Sequence, residues 1–168
     1  PRFKKQKCKI YISGNFSEDL KATKLDPVYI RNIKPVADMS PVSKGKHGLG
    51  VGILARATNE MAKEDADSYF SYNREKSLMA SLAFSNSATP WVNWLNDYKN
   101  MHPVDHPNFD LRGVLQFTTA APYLVGSYEQ VKAWLQSYID LGYSSFVFDY
   151  PENDTEHIMK VLKGLNAK

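Results

Sequence analysis

The stretch from Tyr123 to Tyr150, YLVGSYEQVKAWLQSYIDLGYSSFVFDY, constrains the chain most, because every local signal in it points to one unit. Ser127, behind Gly126, has the chemistry of a helix N-cap. Val131, Trp134, Leu135, Tyr138 and Leu141 then recur at helical spacing and give a helix of about four turns one apolar face. Gly142 stands where a left-handed residue closes a helix, and Ser144 to Phe148 is a short run suited to a buried strand. Loop, helix, turn and strand make one step of an α/β protein, and such strand ends are where these folds carry their chemistry.

The rest of the chain repeats that alternation. Lys7 to Ser13, KCKIYIS, alternates Cys8, Ile10 and Ile12 against wetter neighbours and predicts a strand. After the turn at Gly14 and Asn15, Ser17 caps a short helix with Glu18 and Asp19 in its first turn, where the helix dipole favours carboxylates. Pro27 ends it, and Val28 to Ile30 predicts a second strand. Asn32 to Gly48 reads as a long connection. Leu49 to Ala55, LGVGILA, predicts an apolar strand whose Gly50 and Gly52 suggest close approach by another group. Thr58 caps a helix with Met61, Ala62, Ala66 and Phe70 on its core face. A further helix spans about Arg74 to Phe84. Thr89 and Pro90 open another in cap-then-proline order, carrying Trp91, Trp94, Leu95 and Tyr98. Val114 to Phe117 reads as a possible strand, and Ile158, Met159, Leu162 and Leu165 form the inner stripe of a terminal helix. This order predicts parallel strands joined by crossover helices.

Length and composition limit the function. The 168 residues, 43% of them hydrophobic, are enough for a single domain over 1–168 with its own core. One cysteine, Cys8, forms no internal disulfide, which fits a reducing, cytoplasmic setting. No apolar run has the length of a membrane span. The net charge of +3 is concentrated at Arg2, Lys4, Lys5, Lys7 and Lys9, with Lys44 and Lys46 as a second cluster. Neither cluster has the interleaved aromatics of a nucleic-acid face, so no nucleic-acid partner is expected. His102 and His106 would suit a metal on a helix, but Pro103 and Pro107 argue against one there, and no metal site is assigned. Paired acid/base carboxylates, a nucleophile with its base, a Walker loop and CxxC are all absent from the sequence.

Three segments resemble, in order, the C-terminal half of the bacterial luciferase-like flavin-dependent monooxygenases, the group that includes alkanesulfonate monooxygenase. They are KIYISGNFSEDL, GVGILARATNEMAKEDA and LVGSYEQVKAWLQSYIDLGYSSFVFDYP. The resemblance covers about half the chain and implies a partial, half TIM-type (β/α)8 barrel, a fold that usually takes about 250 residues when complete. It further implies reduced FMN as cofactor, O2 as co-substrate, a small organic molecule as substrate and a flavin reductase as a partner. The missing N-terminal half, or a second copy of the chain, would complete the barrel.

The same resemblance assigns residues. The turn Ser13, Gly14, Asn15 and Ser17 follows a strand and opens a helix, so its N–H groups and hydroxyls suit the flavin phosphate. Tyr150 matches the tyrosine of the family's closing Gly-Tyr-Pro and is placed near substrate, with Asp149 where the family has glycine. Arg112, followed by Gly113, falls in the region of a loop that closes over anionic ligand. Gly52 stands where sulfonate-cleaving members carry a histidine. Two readings follow. The chain is part of an oxygenase that is inactive without its other half, or it is a non-catalytic half-barrel that binds itself or a full-length partner.

Overall fold

One ten-residue strand organises the sheet. The computed structural model describes residues 10–13, 27–106 and 109–165. Within these, β1 (Tyr11–Ser13), β2 (Val28–Asn32), β3 (His47–Arg56), β4 (Tyr123–Ser127) and β5 (Ser145–Asp149) form one sheet in which every pairing between strands is parallel. Five helices accompany them: α1 (Asn59–Tyr69), α2 (Arg74–Ser85), α3 (Pro90–Met101), α4 (Tyr128–Asp140) and α5 (Thr155–Leu162). The α/β class and the crossover helices are therefore as the sequence predicts.

Successive residues of a strand present their backbone groups to opposite edges and their side chains to opposite faces. Along β3, Gly50 O accepts from Ile33 N at 3.1 Å and Gly52 N donates to Pro122 O at 2.7 Å. These even-numbered residues thus serve β2 and β4, which lie end to end along one edge. His47 O accepts from Ser144 N at 3.1 Å on the other edge, where β5 runs. The sheet is open, and β5 pairs with β3. Its parallel strands and helices are compatible with part of a barrel. Here the path reverses after β4, so that β4 and β5 both pair with β3.

Both faces of β3 are buried. Leu49, Val51, Ile53 and Ala55 pack with Leu95 and Tyr98 of α3, Val131, Leu135 and Tyr138 of α4, and Ile158 and Val161 of α5. On the opposite face Leu54, Tyr123 and Val125 meet Ala62 and Ala66 of α1, and Phe70 just beyond it. Each buried Leu- or Ile-sized side chain contributes about 1.5–3 kcal/mol. Small alanines four residues apart bring α1 close to the sheet.

Local signals hold well at the helix starts. The hydroxyls of Thr58, Thr89 and Ser127 accept from the N–H of Met61, Val92 and Gln130, and Pro90 occupies the first turn of α3. Gly142 has φ +102°. Four expectations need correction. Tyr123–Ser127 is a strand rather than a loop, since Ser127 both ends β4 and caps α4, so the cap signal masks the strand. Val114–Gln116 is a 3-10 turn, closed where Gln116 N and Thr118 N both donate to Gly113 O. Met61 and Met159 are exposed: the buried stripe of α1 lies about 100° away from Met61, and α5 buries Ile158 and Val161 instead. β3 begins at His47, so the connection from Asn32 is shorter than predicted.

Candidate functional site

Polar contacts gather at the carboxyl end of β5. Tyr150 directly follows β5 and packs, partly buried, against the main core. Beside it, Asp149 is held by two donors. Tyr123 Oη–H donates to Oδ1 at 3.1 Å and Ala120 N–H to Oδ2 at 3.0 Å. To reach Asp149 the Tyr123 ring crosses β3 over Gly52, and a methyl group on Gly52 would overlap that ring. Burial, reinforced by the Asp149 charge, pushes the Tyr123 phenol far above its ordinary value, so the phenol stays a hydrogen-bond donor. The close approach expected of Gly52 is that of Tyr123. At Gly50 a side chain would meet only ordinary contacts.

Two arginines are locked by carboxylates, Arg56 at the carboxyl end of β3 and Arg112 beside Asp110, which bridges to Tyr123 at the start of β4. Arg112 donates to Asp110 through Nε and Nη2, the latter at 2.6 Å, and to Asp67 through Nη1 at 2.6 Å, and its guanidinium lies over the Phe70 ring. Asp110 is buried, and this raises its carboxyl above the usual range despite the hydrogen bonds from Arg112. Arg56 forms a fork with Asp154 at 2.7 and 3.1 Å and a further ion pair with Asp65. Such forks fix loops to the sheet.

The edge formed by β2 and the segment after it is different. A cleft of about 650 Å³ opens there, lined by Ser13, Asn32, Arg31, Lys34, Asp38 and Trp91 among others. Neither Arg31 nor Lys34 forms an ion pair with a described residue. Lys34 Nζ lies 4.7 Å above the Trp94 ring, and burial, opposed by Asp38 and aided by Arg31, lowers its pKa. His47 is lowered by burial and then by Arg31, and its buried Nδ1 has no hydrogen-bond partner among the described residues. Trp91 begins a stack that continues through Trp94, Tyr98 and His102 along α3. A second, mainly apolar cleft of about 730 Å³ lies between α4, β5 and the end of α5, lined by Leu135, Ile139, Phe146, Phe148 and Leu162.

Of the residues singled out in the sequence, Ser13 lines the β2 cleft, whereas Tyr150 and Arg112 do not. Gly14, Asn15 and Ser17 lie outside the described residues, as do Cys8 and the lysine-rich start. Sequence reasoning missed Arg31, Lys34 and Asp38. Their signal was a cation at the end of β2 and a lysine and a carboxylate in the Pro-punctuated connection after it, a pattern indistinguishable from a solvated strand end and loop. Among the described residues no helix is long and apolar enough to cross a membrane.

Fold and site together define an open parallel α/β protein with polar groups at its strand ends. Its sequence is similar to the 4-(γ-L-glutamylamino)butanoyl-[BtrI acyl-carrier protein] monooxygenase BtrO of Niallia circulans, 28% identical over 118 residues. The aligned stretch is 69% of this chain and 34% of the relative, so the chain spans about a third of the relative it matches. No family model matches the sequence.

Proposed function

We propose that the chain is part of a luciferase-like, FMN-dependent monooxygenase that uses reduced flavin and O2 to oxidise a small organic substrate, and that it is inactive without the rest of a (β/α)8 barrel. The observation that carries this reading is the partial similarity to a monooxygenase, in a chain whose parallel strands and crossover helices supply strand ends of the kind that hold cofactors. The flavin, when bound, supplies the redox chemistry, and protein groups place and shield it. Ser13 is the described member of the phosphate turn. It lines the cleft beside β2. Gly14, Asn15 and Ser17 complete the turn in this reading. Tyr150 stands at the substrate side of the strand ends, with Asp149 beside it. Arg112 serves that side indirectly, since Asp110 and Asp67 occupy its donors and it positions the loop.

A purified 168-residue chain supplied with reduced FMN, O2 and candidate substrates tests the inactivity. No turnover is expected, and turnover would refute it.

A second reading, a non-catalytic half-barrel that binds itself or a full-length partner, draws on a specific observation. The Tyr123 ring fills the space over Gly52 and ties up Asp149, leaving no room there for a reacting group. The intact mass of the natural product separates the two. A natural polypeptide about twice this length supports the oxygenase, given the length a barrel takes, and a product of this length supports the accessory protein.

A further inference from the structure

We propose that the cleft between β2, the segment after it and the start of α3 is a binding site for an organic anion, a carboxylate or phosphate monoester with an apolar or aromatic body, held by Arg31 and Lys34 against Trp91. Calling that anion a substrate rests on the oxygenase reading, whereas the site rests on the cleft alone.

Four observations converge. The cavity, at about 650 Å³, has the size of a small-molecule site. Two cations face it without a carboxylate partner among the described residues, while Arg56 and Arg112 each hold two. Among the described residues that line it the one acid is Asp38, which accepts from Trp94 Nε1 at 3.1 Å and balances only part of the positive charge. The field of that excess reaches the neighbours: Arg31 disfavours the charged forms of Lys34 and His47, and it favours ionisation of the Tyr143 phenol, although burial holds that phenol above its ordinary value. A planar guanidinium pairs two oxygens of a carboxylate or phosphate, a geometry that lysine cannot reproduce. Trp91 supplies an apolar wall, and the positive end of the twelve-residue α3 opens beside it at Thr89 and Pro90. The site thus fits a ligand with one oxyanion head and a flat or apolar body.

Titration calorimetry and tryptophan fluorescence on the whole chain test this, with inorganic phosphate, phenyl phosphate, phenylacetate and the neutral benzyl alcohol as probes. Saturable binding of at least one aromatic anion is expected, tighter than inorganic phosphate, with no binding of benzyl alcohol. Comparing phenyl phosphate with phenylacetate tells which head the site prefers. Arg31→Ala and Lys34→Ala should each weaken binding about tenfold or more, while Arg31→Lys retains part of it. Circular dichroism should show all three variants folded. No saturable binding by any anion, equal binding of benzyl alcohol, or unchanged affinity in a folded Arg31→Ala would overturn the proposal. FMN is absent from every arm, so failure here leaves the oxygenase reading standing, and failure of FMN to bind leaves this site standing.

Discussion

Arg112 and Arg31 are both arginines beside a parallel sheet, yet their surroundings have little in common. Arg112 spends its donors on Asp110 and Asp67 and lies over Phe70. Arg31 faces a cleft with Lys34 and pairs with no described carboxylate. Where a chain satisfies its charges internally, the charges hold structure. Where it leaves cations together at a cavity, we assign the balancing charge to a ligand. The family resemblance pointed to Arg112 for the anion; the packing points to Arg31.

The largest effect that would sharpen this contrast is expected on the satisfied side. Gly52→Val should cost about 3 kcal/mol or more, because the new side chain displaces the Tyr123 ring from a packed face, and urea denaturation would measure it. A fully stable variant would mean that Tyr123 does not seal that face. Next, Asp110→Ala should cost about 2 kcal/mol, since it leaves Arg112 half-buried with only Asp67 to pair it. The matching change on the open side, Arg31→Ala, should alter stability by less than about 0.5 kcal/mol. Equal losses at Asp110 and Arg31 would erase the distinction.

The smallest effect is at Asp67. Its carboxyl is held below the ordinary value, first by the hydrogen bond from Arg112, so its folded pKa lies below its unfolded one. The stability it adds is present above the unfolded pKa and is lost as pH falls through the folded one. Asp67→Asn should therefore lower stability slightly near neutrality, with the loss shrinking as pH falls through the folded pKa, and urea denaturation at several pH values would measure it.

Much of this fold was legible in the sequence because its signals are local. The caps at Thr58, Thr89 and Ser127, the left-handed Gly142 and the apolar stripe of α4 each depend on residues within a few positions. What escaped depends on distant partners. That β5 lies beside β3 follows from a reversal of the chain path that no periodicity records. Gly52 announced a close approach without saying that the visitor was Tyr123, 71 residues away in sequence. The candidate site was read partly at Ser13 and not at all at Arg31 and Lys34, since whether a lysine or arginine is balanced is decided by tertiary neighbours.

The oxygenase reading is tested most directly by fluorescence titration of FMN against the natural polypeptide that carries this sequence. The account predicts saturable binding that weakens at least tenfold when Ser13 and Ser17 are both replaced by alanine, through loss of two phosphate donors at about 1.5–3 kcal/mol each at most. Absence of FMN binding by that polypeptide, or binding indifferent to both substitutions, would contradict it.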